Sequence, residues 1–274
     1  MKSIPFYKMS GAGNDFIIID NRRQIVGDAN LTGFISKVCR RKMSAGADGL
    51  ILLEGSDRCD FRWRFFNSDG SPAEMCGNGA RCAARFAYVS GIAGNTLSFE
   101  TEAGVVSAQI DGDRVKVKMP DPKDLKLSYD LELSGGSLDI SSIHTGVPHV
   151  VVMVEQIDDV DVVSLGREIR FHRAFAPSGT NANFVSRRTG SEIQIRTYER
   201  GVEDETLACG TGAIASAIVS ACRFKMSSPI DVKTRSGEYL RIHFNAEDGQ
   251  FDRIYMEGDA RIIYIGELQP DAWK

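Results

Sequence analysis

Two short stretches of the chain, "EMCGNGARC" at 74–82 and "LACGTGAIA" at 207–215, each set a cysteine directly before Gly-x-Gly-Ala. A thiol at the start of a helix lies in the field of the outward-facing backbone N–H groups and the positive end of the helix dipole, which favours thiolate over thiol. The glycines that follow leave those amides unobstructed, so the same place is also an anion site. One such thiol suggests a nucleophile or a general base. Two, at Cys76 and Cys209, suggest thiols directed into one pocket, one taking a proton from a carbon as thiolate while the other, still protonated, returns one on the opposite face. The carbon would lie next to a carboxylate, whose developing charge the helix starts stabilise. That is the chemistry of a racemase or epimerase.

The elements needed to hold two such thiols are legible as a duplication. Asn67 lies nine residues before Cys76, and Arg200 lies nine before Cys209. Upstream, "FRWRFFN" and "IQIRTYER" alternate as strands do. Downstream, "TEAG" and "TRSG" each begin 25 residues past their cysteine and lead into alternating strands. Each half opens with a glycine turn feeding an aliphatic strand, "SGAGNDFIIID" and "TGVPHVVVMV". The segment after Cys209 carries no charge from Gly210 to Cys222 and predicts a helix buried on every side. Its counterpart after Cys76 is rich in alanine, carries Arg81 and Arg85 on one side, and should end at Gly91. "PDPK" at 120–123 reads as a linker.

The bulk of the chain sets limits. Its 274 residues suffice for two modest domains, and 42% hydrophobic with 26% charged residues is ordinary for a globular protein. A net charge of −4 without basic clusters argues against nucleic acid. No aliphatic run approaches the roughly 20 residues of a membrane helix, and the first fifteen residues lack the apolar core of a secretion signal. The expected compartment is the cytoplasm, with no membrane partner. Six cysteines with no C-x-x-C pair and four scattered histidines support neither a disulfide framework nor a metal site. Cys39, Cys59, Cys82 and Cys222 read as structural residues.

With these motifs in view, the chain resembles the diaminopimelate epimerase family, which works without pyridoxal phosphate. The resemblance rests on "MCGNGARC" and "YERG…ETLACGTGA", joined by "KMSGAGNDF", "GADGL", "FFNSDGSPAEMCGNG" and "GTNANFV", and runs through nearly the whole length. It implies an α+β fold of two similar, pseudo-symmetric domains, each a barrel-like sheet wrapped round a central helix, with the active site in the cleft between them. The expected domains are 1–120, completed by 262–274, and 121–261. It implies that LL-2,6-diaminoheptanedioate is converted to the meso form for lysine and cell-wall synthesis, without cofactor or metal, by a homodimer.

Residue by residue, the resemblance assigns Cys76 and Cys209 as the acid/base pair. It assigns the amides of Gly77, Asn78, Gly210 and Thr211 to the reacting carboxylate, and Asn14 to the reacting amino group. Asn67, Asn181 and Arg200 match groups that hold the distal carboxylate, which suits the planar fork of an arginine. Glu199 matches a carboxylate near the reacting centre and His149 a histidine near the thiols, either able to exchange a thiol proton. Without the resemblance, Asn14, Asn67 and Asn181 would read as turn or loop residues, Glu199 and Arg200 as a solvated pair, and His149 as a satisfied structural histidine. Val147 and Gly49 depart from members with Asn and Gln at these positions, so one distal polar contact is lost or replaced. A proline or hydroxyproline racemase uses the same chemistry, but would leave Arg200 without a second carboxylate. A thiol redox protein or a plain small-molecule binder fits the paired glycine-rich thiols less well.

Overall fold

Aliphatic strands that are buried on both faces, such as Phe16–Ile19 and Val150–Val152, need a helix on each side of their sheet, and that requirement shapes the protein. The computed structural model describes residues 3–73, 75–247 and 249–274. Residues 1 and 2, with which the first expected domain opens, and Glu74 of the first cysteine stretch lie outside the described residues. The chain divides into two compact units, Met1–Lys118 with Gly258–Lys274, and Met119–Glu257.

The first unit runs β1 (Ile4–Gly11), β2 (Asn14–Asp20), α1 (Leu31–Val38), β3 (Gly49–Glu54), β4 (Phe61–Asn67), α2 (Gly77–Val89), β5 (Thr96–Thr101), β6 (Gly104–Asp111) and β7 (Arg114–Lys118). The second runs β8 (Lys123–Leu133), β9 (Gly136–His144), β10 (Pro148–Met153), α3 (Val162–Arg170), β11 (Asn181–Arg187), β12 (Glu192–Glu199), β13 (Asp204–Thr206), α4 (Gly210–Phe224), β14 (Ile230–Lys233), β15 (Tyr239–Glu247) and β16 (Gln250–Asp259). A last strand, β17 (Arg261–Leu268), returns to the first unit and pairs antiparallel with β1. The fold is α+β and dominated by sheet.

The same pairing rule builds both units. In the first, β17, β1 and β2 are antiparallel neighbours, β2 pairs parallel with β3, β3 antiparallel with β4, β4 parallel with β5, and β5–β6–β7 antiparallel. In the second, β8, β9 and β10 are antiparallel, β10 pairs parallel with β11, β11 antiparallel with β12, β12 parallel with β14, and β14–β15–β16 antiparallel. The parallel steps need crossovers. One is supplied in each unit by the outer helix, α1 or α3, and the other by the cysteine helix, α2 or α4.

Alternation along the strands decides which helix each side chain meets. Ile17, Ile19, Leu50 and Leu52 pack with Leu31, Ile35 and Val38 of α1. The opposite face of β2 and β3 carries Phe16 and Ile51, which lie against Gly79 of α2. In the second unit Val150, Val152, Ala182 and Phe184 pack with Val162 and Ile169 of α3. His149, Asn181 and Asn183 occupy the alternate positions, on the side of α4. α2 packs against β1, β2, β3, β6 and β7, and α4 against β9, β10, β11, β12, β14 and β15, so each is the central helix of its unit. α4 is buried from Gly212 to Ser220. α2 ends at Val89, with Gly91 at φ 67° beyond it. The "TEAG" and "TRSG" stretches form the β5–β6 and β14–β15 turns.

Candidate active site

Both cysteines occupy the N-cap position of their helix in extended backbone, Cys76 at φ −145°, ψ 118° and Cys209 at φ −118°, ψ 111°. An extended N-cap residue turns its side chain back over the first helical amides, the geometry that serine or aspartate uses in capping. Cys76 Sγ accepts from the Gly79 N–H at 3.4 Å and lies 3.8 Å from Asn14 Nδ2. Cys209 Sγ lies 3.6 Å from the Thr211 hydroxyl. The first N–H groups of each helix, on Gly77, Asn78, Gly210 and Thr211, belong to the set that a helix leaves without intrahelical partners.

The glycines have a steric reason beyond exposing amides. A Cβ on Gly212 would stand 2.4 Å from Asn183 Oδ1 and 3.2 Å from Cys209 Sγ. One on Gly210 would meet Met256 Sδ at 3.0 Å. At Gly79 the nearest atom is the flexible Ile51 Cδ1 at 3.3 Å. Gly49 has no room for a side chain, since a Cβ would sit 2.7 Å from the Phe66 carbonyl oxygen. The absence of glutamine there is therefore built into the β3–β4 register, in which Gly49 faces Asn67.

Around Cys76, Asn14 opens β2 and its Oδ1 is buried without a partner among the described residues, an acceptor suited to an ammonium group. Its place is held by an ion cluster. Lys8 bonds the Gly46 carbonyl and pairs with Asp15 at 2.7 Å, and Arg41 bridges Asp15 and Asp48 at 2.6 and 2.8 Å. Burial tends to raise the Asp15 carboxyl, but hydrogen bonds from Arg41 and Lys8 and the lysine charge bring it down to about 2. "GADGL" thus serves to fix the start of β2. Arg81, fully buried at 0% exposure, donates to Asn78 Oδ1 at 3.0 Å and to the Gly77 and Asp259 carbonyls. Burial pushes its guanidinium down, and the neighbouring Cys82 and Cys76 thiols act in the opposite direction. Asn67 is exposed and donates to Ser71 Oγ at 3.0 Å.

Around Cys209, His149 is 1% exposed, with Nε2 3.0 Å from Thr211 Oγ1 and Nδ1 3.1 Å from Asn183 Nδ2. It reaches the thiol through Thr211. Burial lowers the imidazole to about 3, with His144 and Arg200 adding to the effect. Asn181 Oδ1 accepts from the Arg200 backbone N–H at 2.9 Å and its Nδ2 donates to the Pro148 carbonyl, so it braces the chain that carries Arg200. Arg200 itself donates to the Ser178 carbonyl. Burial raises the Glu199 carboxyl, opposed by the Thr206 hydroxyl. Val147, in the turn before β10, offers its carbonyl to the Thr145 N–H.

None of the six cysteines is in a disulfide. Burial pushes the Cys39 and Cys82 thiols up to about 12 and also raises Cys222, as expected of packing residues. Among the described residues no group of His, Cys, Asp and Glu is placed to hold a metal ion, and no helix is long and apolar enough to cross a membrane. Asn183, Thr197 and the depth of Arg81 were not anticipated from sequence. The signal available for Asn183 was two asparagines spaced by two in an otherwise apolar strand, which places both on one face.

Residues 6–124 and 141–263 match the model of a known family, described as diaminopimelate epimerase. The chain belongs to the diaminopimelate epimerase family. A diaminopimelate epimerase of Aquifex aeolicus (strain VF5) is 46% identical over 277 residues, covering 97% of this chain and 98% of its own. One from Archaeoglobus fulgidus is 41% identical, covering 97% and 96%. Among solved structures, a Bacillus anthracis phenazine biosynthesis protein of the PhzF family superposes with a TM-score of 0.74 at 16% identity, covering 98% of this chain and 100% of its own. A probable proline racemase of Agrobacterium radiobacter K84 gives 0.70 at 14%, covering 98% and 95%. At these identities the two structures share the fold. Within the diaminopimelate epimerase family, then, this chain sets a cysteine at the N-cap position of the central helix of each unit, and of the two only Cys76 caps with its side chain.

Proposed function

We propose that this protein is an isomerase that interconverts LL- and meso-2,6-diaminoheptanedioate by direct proton transfer at the α-carbon, without a cofactor, in the cytoplasm and as a homodimer, supplying lysine and cell-wall precursors. The observation that carries the reading is the repeated device: a cysteine N-cap, two glycines and a buried central helix, once in each unit. The expected domains, 1–120 with 262–274 and 121–261, each supply one thiol. One cysteine, as thiolate, removes the α-proton, while the other donates its proton to the opposite face. The roles are exchanged in the reverse direction, so a single site serves both isomers.

The α-carboxylate rests on the amides of Gly77, Asn78, Gly210 and Thr211. As the α-proton leaves, charge flows into that carboxylate, and two helix starts meet it with donors and dipole; one such donor is typically worth about 10²–10³-fold in rate. Asn14 Oδ1 receives the α-ammonium. Arg200, with Asn67 and Asn181, takes the distal carboxylate, and Glu199 lies near the reacting centre as a proton-exchanging carboxyl. A second carboxylate is what distinguishes this substrate from proline or hydroxyproline.

In deuterated water, LL-diaminopimelate should acquire deuterium at the α-carbon and yield the meso isomer. Cys76→Ala and Cys209→Ala should each lower epimerisation by at least about 10⁴-fold, the upper range for an acid or base. Exchange with proline but not with diaminopimelate would overturn the substrate, and activity retained in either cysteine variant would overturn the two-thiol mechanism.

A further inference from the structure

The unit that carries Cys209 holds a chain of hydrogen bonds whose direction can be read from its donors and acceptors. It begins on β12, where the Thr197 hydroxyl donates to Asn183 Oδ1 at 2.9 Å. The two residues are cross-strand neighbours in the β11–β12 register. Asn183 Nδ2 donates to the Val150 carbonyl at 2.8 Å, an acceptor that fixes which end of the amide is nitrogen. The other Nδ2 hydrogen points to His149 Nδ1 at 3.1 Å. A nitrogen that receives a hydrogen bond cannot carry the proton, so the neutral imidazole holds it on Nε2. Nε2–H then donates to Thr211 Oγ1 at 3.0 Å. With its oxygen engaged as acceptor, Thr211 has its own proton for the sulfur 3.6 Å away.

We propose that Asn183 is a positioning residue, which sets the His149 tautomer so that the Thr211 hydroxyl donates to Cys209 Sγ and stabilises its thiolate. The proposal rests on the epimerase reading and gives His149 a defined part in it: a neutral donor through Thr211 rather than the acceptor of the thiol proton. The chain suits that part. Thr197, His149 and Asn183 are buried, at 2%, 1% and 0% exposure, where aligned hydrogen bonds reinforce one another. Burial keeps the imidazole neutral down to about pH 3. The far end is also held, because Thr145 Oγ1 donates to the Thr211 carbonyl at 2.9 Å. Gly212 leaves the space that Asn183 Oδ1 fills.

The test needs no substrate. Long-range proton–nitrogen NMR of the histidines should show the His149 proton on Nε2 in the wild-type protein. The pH midpoint of iodoacetamide alkylation, followed peptide by peptide, should rise for Cys209 by at least one unit in Asn183→Leu and Thr211→Val. It should stay near the wild-type value in Thr211→Ser, which keeps the hydroxyl, and in all three variants Cys76 should alkylate as in the wild type. A proton on Nδ1 in the wild type, or an unmoved Cys209 midpoint in Thr211→Val, overturns the proposal. If Asn183→Leu does not fold, the Thr211→Val and Thr211→Ser pair and the wild-type tautomer still decide it. Should diaminopimelate prove not to be the substrate while the midpoints move as expected, the epimerase reading falls and the relay stands.

Discussion

The starts of α2 and α4 share an N-cap cysteine, extended backbone and two glycines, yet their surroundings differ in kind. Behind Cys76 lies a permanent cation, Arg81, buried at the first turn and tied to Asn78. Behind Cys209 there is no charge from Gly210 to Cys222, and the support is the neutral chain of Thr211, His149 and Asn183. The two units share the backbone device and differ in what stands beside the cysteine: a buried guanidinium in one and a neutral hydrogen-bonded chain in the other. On the proposed two-thiol reading, this difference would let the two thiols give up their protons under separate conditions.

Four substitutions would break or sharpen that contrast. The largest effect should come from Arg81→Met. Removing the cation should raise the Cys76 alkylation midpoint by at least one pH unit, leave that of Cys209 in place, and lower epimerisation by about 10²-fold or more. Equal movement of both thiols would erase the distinction. Next, Gly212→Ala should cost about 10²-fold in kcat, since its Cβ would displace Asn183 and a shift of about 1 Å at a site is enough for that. Gly79→Ala meets the flexible end of Ile51 at 3.3 Å and the Phe16 ring at an ordinary 3.5 Å and should cost about tenfold less, so steady-state kinetics of the pair will show whether the second copy is the more tightly constrained. The last effect concerns stability. A histidine lowered from 6.5 to about 3 stays neutral in the folded protein while the unfolded chain takes up a proton. Its contribution is therefore intact above pH 6.5 and falls between pH 6.5 and 3, at up to about 1.4 kcal/mol per pH unit. Denaturant titration of His149→Gln should show that part of the acid slope removed.

What the sequence disclosed follows the same division. The thiols, their helices and the duplication were legible because glycines after a cysteine and runs of small residues leave few other readings. The role of Arg81 was not, since an arginine on an alanine-rich helix is ordinarily solvated, and only the packing of α2 against its strands shows it enclosed. Asn183 was hidden for a related reason. Of the asparagines in "GTNANFV" the sequence singles out only Asn181, and Asn183 gains a partner only when β10, β11 and β12 are placed side by side and Thr197 is found opposite it. Lys8, Asp15, Arg41 and Asp48 are likewise ordinary surface residues until the chain folds them into one cluster beside Asn14. The hairpin of β8 and β9, following the expected linker, had no counterpart in the duplicated pattern, because the strands in its place in the first unit come from opposite ends of the chain.

That last arrangement has a consequence for synthesis on the ribosome. β1 emerges before the other strands of both units, and its partner β17 follows roughly 250 residues later. At typical elongation rates the gap is on the order of 10–50 s. Throughout that interval the outer edge of β1 lacks its native strand. The residues of the second unit, by contrast, are all present before β17 is made. The unit whose first strand is made earlier is thus completed later, and a nascent chain will hold every residue of the unit with Cys209 while the unit with Cys76 still awaits β17.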